Sequence, residues 1–405
     1  MKKAIYIFII MILTLQVNSY VHAEEIEPEI LSESAIVMES TTGAILYDKN
    51  AEDMMYPASL TKIATAIYAI EKGRLNDVVT VSEEATNVDG TKVYLEVGEK
   101  VKLKKLIQGM LINSGNDAAS AIAEHLHGNI EDFSHQLNGF LAEEIGVKNT
   151  HFTNPHGLYN DKHYTTAKDL AMITNYALKN ETFTEIFGTK ELKWKGESWD
   201  TSLVSHHQML NGERPYNWIT GGKTGFVNEA KQTLASSASD GSLDLTAIVL
   251  KADYKRDIYK DTANILDYSF AHYINKEFVP SEEYVVNDKI YTLEDTSISV
   301  TVPKAGFKEK ITSQGEILLS DNEERAIQTI QLKEEEGEEG EEEHVASNQA
   351  LNRSASDDDH SHYLKSIMLG TGVIILLIFL FLYQLWRKKR RKQSEMGYIV
   401  RRRNW

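Results

Sequence analysis

The chain has 405 residues, 42% of them apolar and 25% charged, with a formal net charge of −17 and no cysteine. That length holds two domains with sizeable cores. The charge balance argues against nucleic acid as a partner, and the missing thiols exclude disulfides, a thiolate nucleophile and cysteine-ligated metal.

Residues 1–23 open with Lys2 and Lys3, run through the apolar stretch "AIYIFIIMILTLQV" and end in "VHA". A charged start, an apolar middle and a small residue at the end predict a signal peptide cut after Ala23, with an uncleaved anchor as the alternative. Residues 34–48, "SAIVMESTTGAILYD", predict two short strands with Gly43 at the turn. From Ser59 the apolar residues Leu60, Ile63, Ala64, Ile67 and Ile70 repeat at helical spacing, between Pro57 and Lys72–Gly73 as start and stop signals.

Residues 100–185 read mostly as helices, including "VKLKKLIQGMLI" and "NDAASAIAEHLH". "QTLASSAS" and "LDLTAIVLKAD" predict a hairpin through Asp240–Gly241, and a last helix, "DTANILDYSFAHYI", is expected to end near Asn275. The first domain, 24–275, therefore combines strands and many helices around a sheet assembled from distant segments. Over 276–332 helical periodicity fades, and "EYVVNDKIYTL", "TSISVTVP" and "AIQTIQL" predict strands of a small β domain.

Residues 333–365 are rich in glutamate and poor in large apolar side chains, which predicts a disordered acidic stalk. The run "SIMLGTGVIILLIFLFLYQLW" (366–386) is long enough to span a bilayer and carries no charge. Basic residues follow at once, so the positive-inside rule places the tail, 387–405, in the cytoplasm and everything before 366 outside. A single-pass protein of the cell membrane is expected, held in the lipid bilayer through 366–386.

Three short stretches carry chemistry. In "YPASLTKIATA", Ser59 and Lys62 stand three residues apart, on one face of a helix, where a neutral lysine can take the serine proton. The plain alternative is an ordinary helix start beside a lysine. In "LINSGNDAASAIA", Ser114 and Asn116 lie between two helices, as a relay hydroxyl and a substrate-facing amide or as a simple N-cap. In "ITGGKTGFVNEAKQTLASSA", Lys223, Thr224 and Gly225 lie just before a predicted strand, where glycines let a ligand approach the backbone or simply form a turn.

In this order S-x-x-K, S-x-N and K-T-G form the combination of penicillin-binding proteins and serine β-lactamases. With "TNPHGLYNDKHYTTAKDLA" between them, the chain resembles the serine-type D-alanyl-D-alanine carboxypeptidase family, the low-molecular-mass penicillin-binding proteins, over about 30 to 275. The resemblance implies an α/β fold of the β-lactamase/transpeptidase type: an antiparallel sheet flanked by helices, with a helical subdomain, then the small β domain.

It further implies that Ser59 is acylated by the penultimate D-alanine of a peptidoglycan stem pentapeptide, with Lys62 as base. Ser114 would pass the proton to the leaving D-alanine, Asn116 would hold the substrate amide and Lys223 would lower the Lys62 pKa. Thr224 would bind the terminal carboxylate, beside Gly225, and the N–H groups of Ser59 and Phe226 would form the oxyanion hole. β-Lactam antibiotics would be covalent inhibitors, and no cofactor or metal is implied.

Two departures stand out: the expected span after an acidic stalk, and Asp244 where many relatives have an arginine. A D,D-endopeptidase shares every motif, and a catalytically silent wall-binding protein is a further alternative. A β-lactamase is disfavoured because no E-x-x-L-N stretch occurs where "NPHGLYN" stands, and a zinc peptidase because H-E-x-x-H is missing.

Overall fold

A computed structural model describes residues 27–334, apart from 281, 282, 288 and 294–296. The leader 1–23, the apolar run 366–386, the basic tail and all but the first two residues of the acidic stretch lie outside the described residues. Among the described residues no helix is long and apolar enough to cross a membrane.

The centre is a five-stranded antiparallel sheet. Its strands are β1 (Ser34–Glu39), β2 (Ile45–Lys49), β3 (Ile219–Val227), β4 (Lys231–Ser239) and β5 (Asp244–Ala252), in the spatial order β2-β1-β5-β4-β3. Gly43 turns β1 into β2 with φ +72°, a left-handed conformation that suits glycine. The β4–β5 turn is closed by Asp240, whose Oδ1 accepts from the N–H groups of Ser242 and Leu243.

Side chains alternate across the sheet as the strand period requires. Ile36, Met38, Ile248 and Leu250 face one core, while Ala35, Val37, Ala247 and Val249 face another. The first core is completed by α1 (Thr61–Lys72), α2 (Leu103–Ile112), α3 (Asn116–His127), α4 (Ile130–Phe140), α5 (Ala167–Leu178) and α6 (Glu181–Phe187). The second is closed by the long helix α7 (Lys255–His272) through Ile258, Ile265 and Leu266. Helix α1 lacks a side-chain cap and an acidic first turn, yet every residue from Thr61 to Ala69 is buried. Burial rather than capping holds it.

Several boundaries differ from the sequence expectation. Helix α7 begins at Lys255 and ends at His272, and β6 (Tyr273–Phe278) follows without a break, so Asn275 lies inside a strand. Lys223–Thr224–Gly225 lie within β3 rather than before it: three glycines in nine residues read as a turn, yet Gly221 to Val227 pair without a break with β4. The hairpin Glu191–Lys195 with Asp200–Val204 was not expected, since Trp194 and Leu203 are its only fully buried side chains.

Beyond α7, β6 pairs with β7 (Ile298–Pro303), and further strands surround a small core of Tyr291, Val300, Val302, Ile317, Leu319, Ile330 and Leu332. Lys308–Ile311 and Glu316–Ser320 join strands predicted from the sequence. Lys333 and Glu334, at the head of the acidic stretch, pair with Thr292 and Tyr291. This β region touches the sheet through polar contacts such as Thr42 Oγ1 with Thr301 Oγ1 at 2.6 Å.

Candidate active site

Ser59 sits in a single 3₁₀ turn, Ala58–Leu60, that leads directly into α1. The turn is strained and pinned. Ala58 has φ +50°, which a non-glycine residue adopts only when its surroundings enforce it. Thr61 Oγ1 donates to Ala58 O at 2.9 Å and meets His163 Nε2 at 2.8 Å. Thr233 Oγ1, on β4, donates to Pro57 O at 3.0 Å.

Two glycines make the close approach possible. Gly157 has φ +86°, and a Cβ there would fall 1.8 Å from Ala58 O. A Cβ on Gly225 would fall 2.9 Å from the Ser59 nitrogen, so the bare backbone of β3 runs beside the Ser59 amide.

Lys62 is completely buried, and its Nζ has three partners: Ser59 Oγ at 2.9 Å, Asn116 Oδ1 at 2.7 Å and His156 O at 2.9 Å. Burial first, and then the nearby Lys223 charge, hold its pKa well below the usual lysine value, with Asp117 opposing. The Asn116 orientation is fixed by the network, because Nδ2 donates to Asp89 O at 2.6 Å and a carbonyl only accepts.

Lys223 reaches in from β3, nearly fully buried, and donates to Ser114 Oγ at 3.0 Å and Thr224 O at 2.7 Å. Burial pushes its pKa down to about 7. Ser114 stands at φ +63° in the break between α2 and α3. That second strained residue aims its hydroxyl at Lys223.

The buried histidines His156 and His207 are pushed down to about 3, mainly by burial, and are neutral at pH 7. A cleft of about 530 Å³ opens above this network. Ser59, Ser114, Thr224, Gly225 and Phe226 all line it, with Phe226 57% exposed at the rim. Lys62, Asn116 and Lys223 lie directly behind that surface.

The structure therefore gathers every motif residue into one place, with two refinements. Both ends of the Asn116 amide are engaged within the protein, so in the free site it positions Lys62. Asp244 does not belong to the site. Thr224 pairs with Leu234, whereas Asp244 pairs with Ser239, five residues further along β4. At about 3.4 Å per residue that is roughly 17 Å away, and Asp244 lines a separate cleft with Ser40, Asn175 and Thr220.

Sequence reasoning missed the residues that position the others. The fully buried Asp117 carboxylate accepts from the N–H groups of Val93, Leu95 and Ala118, tying the 93–95 segment to the start of α3. Its signal was an acidic residue in the first turn of a helix. The His156 carbonyl has no side-chain signal at all.

A family model described as D-alanyl-D-alanine carboxypeptidase matches residues 21–254. The D-alanyl-D-alanine carboxypeptidase DacF of Bacillus subtilis is 35% identical over 266 residues, covering 64% of this chain and 67% of that protein. A D-alanyl-D-alanine carboxypeptidase structure from Mycobacterium tuberculosis H37Rv superposes with a TM-score of 0.57 at 27% identity, over 61% of this chain and 93% of that one. The DacD structure from Francisella tularensis, at 21% identity and a TM-score of 0.64, shares the fold over 80% of this chain and 98% of its own. With its sequence match, its sheet-and-helix fold and its serine–lysine site, this chain belongs to the D-alanyl-D-alanine carboxypeptidase family of serine peptidases.

Proposed function

We propose that the protein removes the terminal D-alanine from peptidoglycan stem pentapeptides through an acyl-enzyme on Ser59. The observation that carries this reading is the set of partners around Lys62. A neutral lysine keeps two N–H donors and one lone pair. Asn116 Oδ1 and His156 O are acceptors and take the two N–H groups. The lone pair is left for the Ser59 hydroxyl, 2.9 Å away. That arrangement supports Lys62 as the base that deprotonates Ser59.

In the proposed reaction Ser59 Oγ attacks the carbonyl of the penultimate D-alanine while Lys62 takes its proton. Negative charge on the tetrahedral oxygen meets the backbone N–H groups of Ser59 and Phe226. The proton taken by Lys62 passes through the Ser114 hydroxyl, which Lys223 holds, to the nitrogen of the departing D-alanine as the C–N bond breaks, leaving Lys62 neutral and Ser114 protonated again. Thr224 receives the terminal carboxylate. Water then cleaves the Ser59 ester and regenerates the hydroxyl. A β-lactam ring offers the same attack on its strained amide and leaves Ser59 acylated. The leader and the run 366–386 support an extracytoplasmic enzyme tethered to the cell membrane by one span, with its basic tail in the cytoplasm.

The test uses the full chain in detergent and a pentapeptide ending in D-Ala-D-Ala, with released D-alanine as the readout. Wild type is expected to release D-alanine, and Ser59→Ala to lose at least about 10⁴-fold in rate. Covalent penicillin labelling of wild type with no D-alanine released would move the function to cross-link cleavage or to wall binding without turnover.

A further inference from the structure

Ala58 C=O and the Ser59 N–H belong to one peptide unit, which is planar and trans. In such a unit the carbonyl and the N–H point in opposite directions, so whatever fixes Ala58 O also aims the Ser59 N–H. The two sides are distinct in the structure. Ala58 O faces Gly157 and Thr61, whereas the Ser59 nitrogen faces Gly225 of β3, which lines the cleft.

The Ala58 side is held by a hydrogen-bond chain with only one possible direction. The Thr153 N–H donates to His163 Nδ1 at 3.0 Å, and an N–H cannot accept. Nδ1 is therefore the acceptor, and the neutral ring carries its proton on Nε2. Burial pushes the His163 pKa down to about 3, so the ring is neutral at pH 7. Nε2–H donates to Thr61 Oγ1 at 2.8 Å, and the Thr61 hydroxyl donates to Ala58 O at 2.9 Å. The Thr61 N–H donates to the same oxygen. Both side chains are buried, and the imidazole stacks on Phe152 with ring centroids 4.9 Å apart, which fixes the ring plane. Ala58 needs that grip. At φ +50° it is strained, and once released it would relax toward an ordinary φ and turn the peptide plane. Packing against Phe152 alone would call for a ring of this size but not for a directed chain that ends on Ala58 O.

We propose that His163 is a positioning residue for acylation: through Thr61 it locks the Ala58–Ser59 peptide plane so that the Ser59 N–H points at the carbonyl oxygen of the group being transferred. This rests on the serine-peptidase reading above. No proton moves along the chain during the reaction. His163, Thr61 and the Ser59 amide keep their protons, and the chain only holds direction.

The experiment uses the full chain in detergent and two readouts: the second-order rate of Ser59 acylation by a penicillin, and the infrared stretch of the resulting Ser59 ester carbonyl, which hydrogen bonds lower. His163→Asn and His163→Gln separate the two ring nitrogens. Asparagine places an acceptor near Nδ1 for Thr153 and cannot reach Thr61, whereas glutamine places a donor near Nε2. Removing an oxyanion donor outright costs about 10²–10³-fold, and misaiming one is expected to cost about tenfold in His163→Asn. The ester band should move to higher wavenumber in the same variant. His163→Gln should keep most of the rate and the wild-type band. Thr61→Val, which removes the middle hydroxyl, should repeat both changes, and Thr61→Ser neither. Wild-type rate and band in folded His163→Asn and Thr61→Val would overturn the proposal, as would equal losses in His163→Asn and His163→Gln. Both readouts need only penicillin, so labelling without D-alanine release defeats the peptidase reading alone. Wild type that takes no label defeats both.

Discussion

The core under α7 and the seam between β3, α1 and α3 are equally buried and chemically opposite. Under α7, Val37, Leu46, Val249, Ile265 and Leu266 form a hydrocarbon core, and the buried Asp261 carboxylate is satisfied by the Ser32 amide and hydroxyl. At the seam the same degree of exclusion falls on Lys62, Lys223, Asn116 and Asp117. Apolar burial stabilises by about 25 cal/mol per Å², whereas a buried ammonium costs several kcal/mol or sheds its proton. The first region holds the fold together. The second uses the fold's rigidity to hold Lys62 well below the usual lysine pKa, beside a Lys223 lowered to about 7 that still carries part of its charge.

That contrast is broken most severely at the seam. Lys223→Met should lower Ser59 acylation by about 10²–10³-fold, since both the Ser114 contact and the neighbouring charge are lost. The same substitution should raise stability at pH 7. The folded pKa of about 7 lies below the ordinary 10.5, so between these values the unfolded chain binds the extra proton and wild type is penalised. The gain in urea denaturation should be about 1–4 kcal/mol at pH 7 and shrink as pH rises toward 10.5.

Next is Ile265→Ala, in the apolar core, which should cost about 2–5 kcal/mol in the same measurement and leave acylation per folded molecule unchanged. The pair of variants should therefore move stability and activity in crossed directions. Smallest is Asp244→Ala: exposed, and distant from Thr224, it should change D-alanine release less than twofold and stability by under about 0.5 kcal/mol. A large loss of activity there would return Asp244 to the site.

Legibility in the sequence followed the same division. Ser59 and Lys62 are three residues apart, and that local spacing already states their contact. The periodicity of α1 and the Asp240–Gly241 turn are also local. Ser114, Asn116 and Lys223 could be placed beside them only through a resemblance, because nothing in the chain between says that β3 runs past Ser59. The contacts that enforce it are long-range: Thr233 bonds to Pro57, and Asp117 bonds to Val93 and Leu95. The glycines of β3 misled for a physical reason. Their absent side chains serve close packing against Ser59 and His207, and a turn uses the same residue for its dihedral freedom.

The central claim is that Lys62 is the neutral base of Ser59, held so by burial and by Lys223. The most direct measurement is the pH dependence of the second-order rate of Ser59 acylation by a penicillin, for wild type and Lys223→Met. Protonation of Lys62 removes the base, so wild type should lose activity on the acid side, with a limb well below the ordinary lysine value. Deleting the neighbouring cation stabilises protonated Lys62, so in Lys223→Met that limb should move to higher pH. A wild-type limb near 10, or one that stays in place in the variant, would contradict the account.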